Sequence, residues 1–189
     1  SDMDGDALTF TITMNSDDIF NITDDGLLSV SSGINPSFNF EVKPVHSLIV
    51  EVSDGTLNAS ATITINLEDA NNLPSVAVFN ETFTVAEDIA DDVVIGNFNA
   101  TDEDGDALTY AITSNVSVSA GVDLFEINST TGDISLTAVQ SLDFETATTH
   151  TITLEISDGQ GQINPTAVIN VTDVNESPVT VTTLAGGDT

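Results

Sequence analysis

The chain has 189 residues with 31 Asp plus Glu against one basic residue, Lys43, for a formal charge of −30. Such a charge is repelled by nucleic acid and by anionic membrane surfaces, so nucleic-acid binding is excluded. Apolar residues make up 40% and stand in alternation, which excludes disorder if the carboxylates are neutralised; the lack of Cys excludes disulfides and thiolate metal sites.

No apolar run approaches the length of a membrane span, and no signal peptide is recognisable. With almost no basic side chains available, bound cations are the expected neutralisers. Calcium, Ca2+, is the natural choice because it accepts oxygen ligands alone.

In chain order, the first feature is an acidic loop feeding an alternating strand, Asp2-Met3-Asp4-Gly5-Asp6-Ala7-Leu8-Thr9-Phe10. It returns one hundred residues later as Asp102-Glu103-Asp104-Gly105-Asp106-Ala107-Leu108-Thr109-Tyr110. Recurrence at domain-sized spacing predicts a tandem array. Phe20-Asn21-Ile22, Phe38-Asn39-Phe40-Glu41, Ser53-Asp54-Gly55 and Ile65 to Asn71 follow, each with a counterpart about 104 residues later. The change of offset predicts a small insertion near Ser114 to Ala120.

The second copy is predicted to run as short strands over 76–79, 82–85, 93–100, 107–113, 124–128, 133–136, 149–156 and 166–171. Seven or so strands in about 100 residues, without helical periodicity, predict an immunoglobulin-like sandwich. The expected division is a first repeat at 1–72 lacking its first two strands, a complete repeat at 73–177, and the start of a third at 178–189. The chain begins and ends inside the pattern, as a fragment of something longer would.

The ordered motifs resemble the cadherin repeat in its bacterial cadherin-like form. They are Ala86-Glu87-Asp88, the Asp102/Asp104 loop, Phe125 to Ile134, Leu142-Asp143-Phe144-Glu145, Ser157-Asp158-Gly159 and Asp173-Val174-Asn175-Glu176-Ser177-Pro178. The resemblance covers the second copy fully and the first from its acidic loop onward. It implies an all-β, Greek-key sandwich repeated in tandem, with calcium between consecutive domains.

Carried over by the resemblance, the junction inside this chain takes Glu41, Asp69 and Asn71 from the first copy and Asp102, Asp104 and Asp158 from the second. Asp2, Asp4 and Asp54 form a half-site awaiting a preceding domain. Glu87, Asp143, Glu145, Asp173 and Asn175 form one awaiting the third copy. Asn39 stands where an aspartate of the Asp-x-Glu pair is expected, and the linkers are one residue short. One or two ions per junction are therefore expected, rather than three.

The chemistry is sensible independently of the resemblance. Alternate residues of a short extended loop point the same way, so Asp102 and Asp104 converge while Glu103 faces out. Two carboxylates 4 Å apart repel by about 1 kcal/mol in water and about 4 kcal/mol at an effective dielectric of 20. An EF-hand is disfavoured, because Gly falls at the fourth position and Thr113 stands where a bidentate Glu belongs. His46 and His150 occupy equivalent places and are expected to cap strand ends, not to act as catalytic or zinc residues.

The expected function is that of a calcium-rigidified repeat in a large secreted or surface-attached bacterial protein, structural and adhesive, with no catalysis. Its partners would be neighbouring repeats of the same chain, with homophilic self-association or carbohydrate as further possibilities. Two alternatives stand beside it. A carbohydrate-binding module needs an aromatic platform, for which the sequence offers no Trp and one Tyr, Tyr110. A strand-donating filament subunit would use the missing first strands of the first copy.

Overall fold

A computed structural model describes residues 5–15, 18–31, 38–119 and 121–177. The chain divides into two compact units, Ser1–Asn71 and Asn72–Thr189. Both are built from strands, as the alternation predicts, and the architecture is an all-β, immunoglobulin-like Greek-key sandwich.

Unit 1 holds β1 (Thr9–Asn15), β2 (Phe20–Ile22), β3 (Leu28–Val30), β4 (Val45–Ser53) and β5 (Asn58–Asn66). Its main sheet has the order β1-β4-β5, and β2 with β3 forms a hairpin. Among the described residues, Ile19, Phe20, Leu48 and Val50 are its buried apolar core. The His46 ring packs at 5.8 Å from that of Phe20 and 5.7 Å from that of Phe38. In place of the expected strand cap, the structure makes His46 a fully buried member of an aromatic cluster.

Unit 2 holds β6 (Asn80–Ala86), β7 (Thr109–Ser114), β8 (Ser117–Ser119), β9 (Val122–Asp123), β10 (Phe125–Ile127), β11 (Ile134–Leu136), β12 (Thr149–Ser157), β13 (Gln162–Ile163) and β14 (Thr166–Thr172). Strand β12 carries β7 antiparallel, and β13 and β14 antiparallel as well. Strand β6 runs parallel to β14 over seven paired residues, Asn80 to Ala86 against Thr166 to Thr172. Because side chains alternate across a pleated strand, Ile152, Leu154 and Ile156 of β12 face inward together with Ala167, Ile169 and Val171 of β14. The β10–β11 hairpin closes the core with Phe125, Ile134 and Leu136. Strands β8 and β9 occupy the insertion that the change of offset located.

Two predicted strands are not strands. Residues 76–79 make no ladder; their neighbour Ser75 forms an isolated bridge with Thr101. Residues 93–100 touch the sheet at one bridge, Gly96 with Ile134. Three local features break the pairing. Gly96 lies so close to Phe83 that a Cβ would come within 2.3 Å of the ring. The Asn97 amide donates to the Thr131 carbonyl at 2.6 Å and to Asp133 Oδ1 at 2.8 Å. Asn99 then turns into the left-handed region at φ 49°.

Asp133 ties this irregular segment to the β10–β11 turn. The Thr131 hydroxyl donates to it at 2.6 Å and lowers its pKa below the ordinary 3.8, the Asn97 amide adds to the shift, and burial opposes it. A carboxyl with a depressed folded pKa contributes stability that is present above its unfolded value and lost as pH falls through the folded one. Urea unfolding midpoints should therefore drop as pH is lowered below the ordinary Asp range. Asp133→Asn should flatten that part of the profile; an unchanged slope would show that this network adds nothing.

Candidate metal centres

Register fixes where the carboxylates sit within unit 2. The ends of β6 and β14, Ala86 and Thr172, lie beside the start of β12, because Asn170 pairs with Thr149. The acidic loop enters β7 at Thr109, which pairs with Ser157 at the end of β12. The two acidic groups of unit 2 thus occupy opposite ends of one strand.

At the β12 start, Glu87, Glu145, Asp173 and Glu176 each bring a carboxylate oxygen within 4.8 Å of the others. Glu87 is 8% exposed. Its oxygens accept hydrogen bonds from the Phe144 and Val174 backbone N–H groups, both at 2.8 Å. Those two donors hold the Glu87 pKa below the ordinary range, against burial and the charge of Asp143. For Glu176 a backbone hydrogen bond of its own lowers the pKa, but burial and the charges of Glu87 and Glu145 together raise it. The ionised Glu87 and Glu145 thus oppose ionisation of Glu176, while Glu87 is itself held ionised by its two backbone donors.

At the opposite end, Asp102, Asp104 and Asp106 form a second group with oxygens within 4.8 Å. Asp102 Oδ1 accepts from the Asp104 and Asp106 N–H groups at 3.0 and 3.2 Å, folding the loop around one carboxylate. Gly105 allows the turn at φ 80°. Asp104 Oδ2 accepts from the Asn72 N–H at 2.6 Å. Asp102 Oδ2 and Asp104 Oδ1 are shielded from solvent and, among the described residues, accept no hydrogen bond. Shielded carboxylate oxygens without donors are costly unless a cation meets them.

In unit 1, Glu41 and Asp69 place carboxylate oxygens within 4.8 Å of each other, at the end of the unit equivalent to that of Glu145 and Asp173. Asn71 is exposed beyond Asp69 in the stretch after β5. Every donor in these groups is oxygen, the ligand class of a hard divalent ion, and the residues fit calcium on that ground.

Other expected site residues have local work. Asp143 accepts from the Thr146 N–H at 2.9 Å and from its hydroxyl at 2.8 Å, and so caps a turn beside the Glu87 group. Its counterpart Asn39 accepts from the Glu41 and Val42 N–H groups at 2.8 and 3.2 Å, so the amide keeps the capping role. Asp54 and Asp158 each close a hairpin through two backbone donors, Thr56 and Leu57 for the first, Gln160 and Gly161 for the second. Leu57 and then Thr56 lower the Asp54 pKa. Asn175 is exposed in the stretch after β14; Asp2 and Asp4, with the expected third repeat at 178–189, lie outside the described residues.

Sequence reasoning missed Asp106 and Glu176. Asp106 continues the i, i+2 spacing of Asp102 and Asp104, so the signal was present. Glu176 had no such signal, since the stretch after β14 has no fixed period. Tyr110 is buried at 8% exposure and so offers no sugar platform; His150 packs its ring 5.6 Å from Phe125. No helix among the described residues is long and apolar enough to cross a membrane.

An immunoglobulin-like sandwich with carboxylate groups at both ends of its central strand is the class this geometry defines. The comparison with family models is more specific: residues 81–173 match the Cadherin domain, so unit 2 is a cadherin-like domain. Over 94% of the chain, 30% of residues are identical to mouse "Cadherin-related family member 2", and the same shares hold for "Cadherin-related family member 1" of Xenopus laevis. The chain spans 14% and 21% of those two relatives. Among solved structures, human Protocadherin-24 EC1-2 superposes with a TM-score of 0.64 at 20% identity, over 93% of this chain and 86% of that one. Mouse Cadherin-23 EC22-24 gives 0.58 at 24% identity, over 89% and 55%. At those identities the likeness is one of fold.

Proposed function

We propose that this chain is a stretch of tandem cadherin-like repeats in a large secreted or cell-surface protein of bacterial type, stiffened by calcium at its junctions. The role is structural and adhesive, not catalytic. The observation that carries it is the pair of carboxylate groups at opposite ends of unit 2, one with shielded, unpartnered oxygens. Repulsion within each group opposes close approach of a neighbouring acidic domain, and a divalent ion reverses the sign of that interaction.

In this reading Glu41, Asp69 and Asn71 act with Asp102 and Asp104 at the internal junction, with Asp158 bracing the loop nearby. Glu87, Glu145, Asp173 and Asn175, with Glu176 added and Asp143 as a brace, serve the next junction. Asp2, Asp4 and Asp54 serve the preceding one. The proposed location is extracellular, where calcium is plentiful, and the partners are neighbouring repeats. The motif order, the Cadherin-domain match and the oxygen-only donor sets support it. The relatives named above are animal proteins; the bacterial type is proposed from linkers one residue shorter than the animal pattern, and the scarcity of basic residues fits a saline source.

Small-angle scattering and thermal unfolding, with calcium and with chelator, provide the test. At a hundredfold excess over its dissociation constant, one ion should stabilise by about 2.7 kcal/mol, and the particle should lengthen and stiffen. Replacing Asp102 and Asp104 together by Asn should remove the calcium response of the internal junction. No change in either property on adding calcium would overturn the reading.

A further inference from the structure

We propose that the cavity between the β8–β9 hairpin and the start of β12 binds a small, free aromatic molecule, one ring with a neutral polar substituent. The ligand's ring takes the place that the Phe38 side chain holds in unit 1. The proposal stands beside the calcium reading and does not draw on it.

The two repeats are equivalent at this place. His46 pairs with Ile65 across β4 and β5, as His150 pairs with Ile169 across β12 and β14. Phe38 precedes Asn39 as Leu142 precedes Asp143, and those two polar residues cap equivalent turns. In unit 1 the imidazole has two aromatic neighbours. The Phe20 ring meets His46 edge-on at 5.8 Å and 74°, and the Phe38 ring packs on it at 5.7 Å and 35°. Unit 2 keeps the first contact, Phe125 meeting His150 at 5.6 Å and 67°. The second ring is replaced by the shorter Leu142 side chain. His46 is fully buried, whereas His150 is only half-buried.

A cavity of about 380 Å³ lies at that place, with Leu142 and His150 both in its wall. The insertion supplies another wall. Asn15 and Phe20 are five residues apart in unit 1, while Asn115 and Phe125 are ten apart. The added residues form β8 and β9, and Val116, Val118 and Leu124 line the cavity from that side, with Ala147 also in its wall. The volume falls within the range of small-ligand sites and admits one substituted ring.

The wall also states what the ligand carries. Burial holds the His150 pKa below its ordinary 6.5, so near neutral pH the imidazole presents an uncharged face for a ring to pack on. Ser117, Ser141 and Thr146 border the cavity with hydroxyl groups, which match a neutral polar substituent. Asp143 borders it too, in a chain of charge −30, so a carboxylate or phosphate is repelled. Both Asp143 oxygens already accept from Thr146, so a cationic group is not required. Of the lining residues only Val118 is a large apolar side chain exposed at the surface. The cavity therefore does not continue into the apolar patch that a protein partner needs, and the occupant is a free molecule.

The test uses the unaltered protein in chelator, which keeps a failure here separate from a failure of the calcium reading. Benzyl alcohol is the probe and benzoate its anionic counterpart, both followed by amide and methyl NMR shifts. Saturable, millimolar binding of benzyl alcohol is expected, with shifts confined to Val116, Val118, Leu142, Ala147, His150 and their neighbours. Benzoate should bind at least about tenfold more weakly. Leu142→Phe restores the second ring of unit 1 and should abolish binding. Because Leu142 belongs to the core, Val118→Asp at an exposed position is the second variant; it should keep the fold and weaken binding about tenfold. Lack of saturable binding, benzoate binding as tightly, shifts centred on another face, or unchanged binding by the folded variants would each overturn the proposal.

Discussion

Phe125→Ala should destabilise unit 2 by about 3–5 kcal/mol, lowering its unfolding midpoint by roughly 10–30 °C. Phe125 is 1% exposed and lies among Ile134, Leu136 and the β12 side chains. Truncation is costly in proportion to the cavity left behind, and here the cavity cannot easily collapse. The Asn115 amide donates to the Phe125 carbonyl at 2.6 Å, and Asn115 Oδ1 accepts from its N–H at 3.4 Å. That clamp holds the backbone in place when the ring is removed. The measurement is convenient because Tyr110 is the sole tyrosine, the chain has no Trp, and Tyr110 belongs to the same core. Its fluorescence reports unit 2 alone. A loss below about 1 kcal/mol would mean that the ring is not central to the core.

The equivalent Phe20→Ala provides a contrast. Asn15 clamps Phe20 through the same amide-to-carbonyl hydrogen bond, at 2.8 Å. Among the described residues the surrounding core is smaller, with four buried apolar residues against fourteen. The same substitution should leave a less enclosed space and cost less.

How much of this was legible in the sequence depends on what each residue answers to. Strands such as Thr149–Ser157 and Thr166–Thr172 were read to within a residue, because alternation is set by the pleat and both have neighbours that enforce it. The stretch 93–100 also offers strand-forming residues, Val93-Val94-Ile95 and Phe98. Its backbone is drawn out of register by Gly96 against Phe83 and by the Asn97 side chain, and neither contact has a sequence signature. The carboxylates divide in the same manner. Spacing of two along the acidic loop announced Asp102 and Asp104. It did not announce that the oxygens of Asp143 and Asp158 would serve their own turns, since local N–H donors compete for a short side chain wherever a turn presents them. Glu87 was identified by its motif, while the two backbone donors that fix its carboxylate come from residues 57 and 87 positions away.

Gly132→Ala should be strongly damaging, because Gly132 is a buried turn residue. Gly132 closes the β10–β11 turn at φ 76°, where an alanine is strained by about 1–2 kcal/mol. Its added Cβ would also meet the Tyr110 ring at 2.8 Å. Displacing a buried aromatic ring costs about 1–3 kcal/mol more. The two contributions are separable. In Gly132→Ala combined with Tyr110→Leu the steric part should be relieved and the backbone part kept, so the coupling energy of the double-mutant cycle isolates the clash. Tyr110 stands four residues after Asp106 and is held through its own N–H to the Ser129 carbonyl at 3.0 Å. Pushing its ring outward therefore disturbs the entry of β7, and with it the loop that gathers Asp102, Asp104 and Asp106. Under the calcium reading, Gly132→Ala should weaken ion binding as well as stability, and the Tyr110→Leu partner should restore ion binding more fully than stability. Isothermal titration with calcium beside urea unfolding distinguishes the two. Equal loss of both in the single and double variants would show that the turn and the acidic loop are not mechanically linked.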